Sequence, residues 1–302
     1  MRRLWIKGVT VIIAFVLIGA FGLTGCAPKQ PVDLSGSFTI TGSDSEVNLV
    51  QSLVEEYAKV NDTAEFSVTG GGSGVGISAI INSTADIANS SRPMSEDEIA
   101  QARAKSIEPV PIVFAFDGVA VVVHKDNSVK ELTMEQVGKI YRGEITNWSE
   151  IGGPNIAITL FGRQPTSGTF VFFRSLVVKG DYAASMNQMS GTSAIIEGVA
   201  QDLGGIGYAA IGYVKGATGV APLSIATEAG AEFISPLNDE KVFGGEYALT
   251  RPLYQYVNGK PTGALKDFFL FELSEEGQAI IVAEGFLPVT PEYVQKNNEY
   301  LQ

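Results

Sequence analysis

From residue 37 onward the chain alternates short runs of period-two hydrophobicity with longer stretches of helical period. Residues 37–41 (SFTIT) and 65–69 (EFSVT) read as strands. Between them, Glu46 to Lys59 sets Val47, Val50, Leu53, Val54 and Tyr57 on one helix face. A glycine run at 70–74 precedes a helix over 75–82, and 85–90 is a short strand. Ser95 to Lys105 is a charged helix, with Ser95 as its cap and Glu98 at the capping-box position. Residues 109–124 (PVPIVFAFDGVAVVVH) are apolar enough for one long buried strand or a strand pair. Then come a helix over 133–141, a strand over 156–161, and a helix from Thr169 to near Gly180. A helix at 193–201 and strands at 205–211 and 249–257 come next, and 264–284 holds one long helix or two. Strands alternating with helices predict an α/β fold with largely parallel sheets.

The pattern breaks at the start of the chain. Arg2, Arg3 and Lys7 precede an apolar run over 8–23 that ends in Leu23-Thr24-Gly25-Cys26. A positive start and a short apolar run make a signal peptide, too short for a transmembrane helix. Leu-Thr-Gly-Cys resembles the lipobox of bacterial lipoproteins. That resemblance implies cleavage before Cys26 and lipid on its thiol and new amino terminus, with residues 26–36 as lipidated cysteine and tether. Cys26 is the chain's one cysteine, so an internal disulfide or a cysteine-based zinc site is excluded.

Charge changes the picture less than it first suggests. The whole chain carries −12, and the signal segment holds three positive charges and no negative ones. The chain beyond residue 25 is therefore strongly acidic and a poor partner for nucleic acid or an anionic membrane surface. A closed cleft can still hold an anion, because charges beyond about 8–10 Å are largely screened in physiological salt.

The candidate chemistry lies in the turns. Residues 163–170 read RQPTSGTF, an arginine four residues before a Ser-Gly-Thr that opens a helix. Unpaired N–H groups, the helix dipole, two hydroxyls and a planar cation make a site for a phosphate-like anion. Alone, the segment is an ordinary N-cap beside a surface arginine. Three similar turns accompany it: GSDS at 42–45, GGGSG at 70–74 and SGTS at 190–193. In open α/β sheets, ligands sit at the carboxyl ends of strands, where such turns fall. Familiar motifs do not account for them. Gly71 to Gly76 has P-loop spacing, but Ile77 stands where a lysine is needed. Ser73 lacks the last glycine of a hydrolase elbow. The dinucleotide-like Gly205-x-Gly207-x-x-Ala210 runs into strand. His124 reads as a strand-end residue, and no nucleophile has an evident base. Phe268, Phe269 and Phe271 read as core, Trp148 as packing a turn, and Ser193 as a cap or cleft residue.

GSDSEVNLVQ, GGGSGVGISAIINSTADIANSSRPM, GEITNWSEIGG and GRQPTSGTF occur in this order, with GIGYAAIGYV and ALTRPLYQYVNGK after them. Together they resemble the substrate-binding lipoprotein of the bacterial phosphate-specific ABC transporter. The resemblance implies a two-lobed periplasmic-binding-protein fold that closes on its ligand. The lobes are expected at about 37–115 plus 247–302, and 116–246, with crossings near Ala115–Asp117 and Tyr247–Arg251. It implies phosphate contacts at Asp44, Ser45, Ser73, Ser91, Arg163, Ser167, Gly168 and Thr169, with no cofactor. Some family members carry an aspartate at Ser91 that accepts the ligand's proton, and here it is replaced. Arg92, adjacent, is expected to add a second charge. Asp44 is expected to take over the proton, with Asp117 as the alternative. The function so implied is a monomeric, lipid-anchored receptor on the extracytoplasmic face of the cell membrane. It would deliver inorganic phosphate to the membrane permease subunits of an ABC importer. A receptor for sulfate, molybdate or tungstate, a secreted phosphate-ester hydrolase, and a sensor or adhesion lipoprotein are the alternatives.

Overall fold

A computed structural model describes residues 32–302, so the signal segment, Cys26 and most of the tether lie outside the described residues. The first part of the chain forms β1 (Gly36–Gly42), α1 (Val47–Val60), β2 (Ala64–Thr69), α2 (Ser73–Ile81), β3 (Ile87–Ser90), α3 (Glu96–Ala104) and β4 (Pro109–His124). Then come β5 (Glu131–Thr133), α4 (Met134–Tyr141), a 3-10 turn at Trp148–Ile151, β6 (Thr159–Arg163), α5 (Gly168–Phe173), β7 (Asn187–Met189), α6 (Thr192–Gln201), β8 (Gly205–Ala210) and α7 (Ile211–Val214). The remainder is β9 (Val220–Pro222), β10 (Ser224–Ala226), α8 (Asp239–Phe243), β11 (Thr250–Asn258), α9 (Gly263–Glu272), α10 (Glu275–Ala283), β12 (Leu287–Pro288) and α11 (Pro291–Leu301). Among these residues no helix is long and apolar enough to cross a membrane.

The strands run in the order β2-β1-β3-β11-β4-β8-β6-β7. β1, β2 and β3 are parallel, as are β6, β7 and β8, while β11 and β4 are antiparallel to their neighbours. The long apolar segment is one 16-residue strand rather than a pair. Its first part pairs with β11, and Val119 to Val123 pair with β8. Its two ends serve different cores. Val110 to Ala115 pack with Leu253, Val257, α1 and α9, whereas Val119 to Val123 pack with Leu249, α4, α6 and β8. Two cores on one continuous strand are what make the fold two-lobed.

Local signals explain most boundaries. Ser95 caps α3 with Glu98 completing the box, and Thr133 with Gln136 does the same for α4. Trp148 is fully buried, and its indole N–H donates to the Gly204 carbonyl at 3.0 Å. The helix expected from Thr169 to Gly180 is α5 continued by a π turn over Arg174–Val178. The 264–284 segment is two helices, split at Ser274, whose hydroxyl caps α10. The short β5–β10 pair has no strong period in the sequence and exists through its partner.

Phe268 sits at the centre of the first core, against Tyr57 at 5.3 Å and Phe66 at 4.5 Å between ring centroids. Phe268→Ala is expected to lower unfolding free energy by about 3–5 kcal/mol, read from the shift in denaturant midpoint.

Candidate functional site

The four Gly/Ser/Thr turns meet where the two cores face each other. The turn after β1 supplies Ser43, Asp44 and Ser45, the start of α2 supplies Ser73, and the residue after β3 is Ser91. All four serines are nearly inaccessible to solvent. Ser43 Oγ lies 2.9 Å from Ser45 Oγ and 3.1 Å from Ser91 Oγ, and Ser91 Oγ lies 3.3 Å from Ser73 Oγ. The Ser91 N–H donates to Ser73 Oγ at 3.0 Å. From the other side come Arg163 at the end of β6, Ser167 as the cap of α5, and buried Gly168 and Thr169 in its first turn.

Two arginines bracket this hydroxyl cluster, and both are buried. Arg163 is ion-paired with Asp44 and also donates to the Ser190 carbonyl at 3.0 Å and Thr192 Oγ1 at 3.2 Å. Its own backbone N–H donates to the hydroxyl of Tyr208 at 3.0 Å. Burial pushes the Tyr208 phenol up to about 12, so it remains a neutral prop for the β6 end. Arg251 on β11 donates through one Nη to Asp117 at 2.8 Å, to Thr169 Oγ1 at 3.0 Å and towards Ser45 Oγ at 3.5 Å. Its guanidinium also stacks 5.2 Å from the Phe172 ring centroid. Arg251 and Asp117 are directly opposed in the β11–β4 register, so the ion pair locks the two shared strands. Burial raises the Asp117 carboxyl from its usual range, and the Arg251 charge pulls against that rise. Each arginine keeps one buried nitrogen, Nε of Arg163 and Nη1 of Arg251, with no partner among the described residues.

The two walls touch through backbone. The Gly74 N–H donates to the Thr166 carbonyl at 2.8 Å, and the Tyr213 hydroxyl to the Asp44 carbonyl at 2.9 Å. Such approach needs glycine. Gly72 has φ +99°, and a Cβ there would lie 2.9 Å from the Thr166 carbonyl oxygen. A Cβ on Gly168 would fall 2.3 Å from Ser73 Oγ and 2.5 Å from Ser91 Oγ.

Of the residues expected from sequence, Asp44, Ser45, Ser73, Ser91, Arg163, Ser167, Gly168 and Thr169 come together. Arg92 does not. Its guanidinium makes a two-pronged pair with Glu98, 2.7 Å on each arm, and donates to the Pro93 carbonyl. The capping-box glutamate of α3 thus takes the charge that was expected to face the ligand. Arg92 borders instead a mostly apolar cavity of about 480 Å³ beside Phe172 and Tyr254, which Ser91 and Arg251 also line. Asp44 also differs from expectation. One of its oxygens accepts from Arg163 and the other from the Gly71 N–H at 3.0 Å, so it joins the two walls as an ion-pair partner. Sequence reasoning missed Arg251, Thr192 and Tyr213. Arg251 did leave a signal, the one charged residue in the strand it enters. His124 sits at the far end of β4, its ring nitrogen accepting from the Asp126 N–H.

The chain matches the family described as PBP superfamily domain over residues 28–276. It is 30% identical to the phosphate-binding protein PstS of Pseudomonas aeruginosa, across 96% of this chain and 97% of that protein. The PstS of Bacillus subtilis is 32% identical across 92% of this chain and 91% of its own length. Among solved structures, a phosphate ABC transporter substrate-binding protein with bound phosphate from Clostridium perfringens superposes with a TM-score of 0.76 at 29% identity. It is covered completely, by 84% of this chain. An ABC-type phosphate transport receptor from Vibrio cholerae gives a TM-score of 0.66 at 29% identity, covering 83% of this chain and all of that one. The chain therefore belongs to the PstS phosphate-binding protein family within the PBP superfamily.

Proposed function

We propose that the protein is a receptor that captures inorganic phosphate outside the cytoplasmic membrane and passes it to the permease subunits of an ABC importer. The observation that carries this reading is the pair of buried arginines, each with an unpartnered nitrogen, around a cluster of hydroxyls. A small tetrahedral oxyanion has four oxygens to accept from such donors. Burial makes each of these bonds stronger than it would be in water. The names of the matched relatives agree with that chemistry.

In this reading the ligand binds between Ser45, Ser73 and Ser91 on one wall and Ser167, Gly168 and Thr169 on the other. Arg163 supplies charge from the second wall and Arg251 from the shared strand. Asp44 closes the cleft by pairing with Arg163, while Asp117 holds Arg251. The lobes are taken as 37–115 plus 247–302, and 116–246, turning about β4 and β11. Capture needs no bond-breaking group. The Leu23-Thr24-Gly25-Cys26 sequence supports anchoring through lipid on Cys26, with the receptor acting as a monomer at the outer face of the membrane.

Calorimetric titration of the purified full-length protein with phosphate, sulfate and molybdate tests the reading. Selective phosphate binding is expected, and its absence would overturn the proposal. Arg163→Ala should weaken phosphate by about 2 kcal/mol or more, since a charged partner of a buried anion is removed. Gly168→Ala should impair binding without unfolding the protein, because the added methyl meets Ser73 and Ser91 where the walls close. Wild-type affinity in that variant would mean that Gly168 lies outside the closed contact. Asp44→Asn should weaken phosphate and sulfate together, since both its oxygens already accept. A narrowed phosphate-to-sulfate ratio would instead give Asp44 the ligand's proton.

A further inference from the structure

Beneath the serine cluster, inside the first core, lie four buried polar side chains that the anion site does not use directly. Glu46, Asn89, Gln255 and Glu272 are all fully inaccessible to solvent. Asn89 on β3 and Gln255 on β11 are opposed in register, so their side chains share one face of the sheet. Gln255 Nε2 donates to Glu272 Oε1 at 3.2 Å. Both carboxyl oxygens of Glu46, both amide atoms of Asn89, Gln255 Oε1 and Glu272 Oε2 have no hydrogen-bond partner among the described residues. A packed apolar core does not tolerate so many orphaned groups unless protons or water satisfy them.

Glu46 directly follows Ser45, and its side chain turns into the core rather than to solvent. Three charged or titratable groups act on it: Arg251 from β11, Asp117 from β4 and, through its effect on the second carboxyl, Glu272 from α9. Ser43, the nearby hydroxyl, is already within bonding distance of Ser45 and Ser91. Glu284, at the end of α10, is turned away to Ser52. The charges of the anion site balance without Glu46, as Arg163 pairs with Asp44 and Arg251 with Asp117. An ionised Glu46 would add an unpaired negative charge to this buried group, just below a site meant for an anion.

We propose that Glu46 is a positioning residue of the anion site: as a neutral carboxylic acid it completes the polar cluster under Ser45 and leaves the Arg251 charge to Asp117 and the ligand. The proposal rests on the anion-receptor reading above. A neutral Glu46 carries no charge to compensate and keeps one O–H that a buried water can accept. Burial acts in the same sense, holding the Glu46 carboxyl well above the usual range against the pull of Ser43 and Arg251, with Asp117 reinforcing it. Glu272 is raised by burial too, and a charge on Glu46 would raise it further. Burial thus shifts both carboxyls towards their neutral forms.

The infrared spectrum of the phosphate-free protein tests the protonation state independently of any ligand. A carbonyl stretch of buried protonated carboxyls is expected at neutral pH, with part of its area lost in Glu46→Gln. Identical spectra for wild type and Glu46→Gln would overturn the proposal. In phosphate titrations at neutral pH, the neutral isostere Glu46→Gln should bind within about threefold of wild type, whereas Glu46→Leu, which strands its polar neighbours, should lose about tenfold or more. A large change in Glu46→Gln would show that the group works ionised. Wild-type affinity in Glu46→Leu would remove Glu46 from the anion site. Failure of wild type to bind phosphate would count against the receptor reading, with the infrared result still deciding the state of Glu46.

Discussion

Two guanidinium groups are buried at the junction of the two cores, and the need to compensate them shapes much of the site. Desolvating an unpaired cation is prohibitively unfavourable, so each arginine has a carboxylate: Asp44 for Arg163 and Asp117 for Arg251. The two pairs work differently. Arg251 and Asp117 lie in register on neighbouring strands that both cores share, so that pair is fixed by the sheet. Arg163 and Asp44 come from opposite walls, so that pair spans the junction between them.

The scaffold makes the walls meet at backbone distance. β1 and β3 run opposite to β6 across the antiparallel β11–β4 pair, so the carboxyl ends of the first core's strands face that of β6 where β4 passes from one core to the other. β1, β3 and β6 each lead into a turn of small residues, and the hydroxyls there are near enough to one another to act as a single donor cluster. Glycines at 72 and 168 remove the side-chain volume that would hold the walls apart. Aromatic groups stiffen the second wall. The hydroxyl of Tyr208 holds the backbone of Arg163, and its ring stacks on Phe173 of α5 at 4.3 Å between centroids. The anion chemistry is thus carried by flexible residue types on a rigid support.

Legibility in the sequence tracked how local each feature is. The helix cap at Ser95, the helix start at Thr133 and the apolar face of α1 depend on residues within a few positions, and they were readable. The Ser-Gly-Thr turn was readable as a helix start because its residues are consecutive. Arg92 was misread for the converse reason. Adjacent to Ser91 in sequence, it turns to Glu98, six residues on, whose capping position already fixes a carboxylate at the right place. Arg251 was passed over because its partners, Asp117, Thr169 and Ser45, are each more than 80 residues away in the chain.

The sequence by itself determined the α/β alternation, the helix starts, the four donor-rich turns and, through their order, the family resemblance. These are set by residue type and short spacing, which act before the chain is folded. Only the tertiary structure decided which charges gather at the serine cluster: Arg251 rather than Arg92, which pairs with Glu98, with Asp44 bound to Arg163. It also decided that Glu46 is buried beneath the site instead of exposed at a helix start. Those outcomes depend on which groups lose their water when distant segments pack together. No local pattern encodes that, because desolvation is a property of the assembled core.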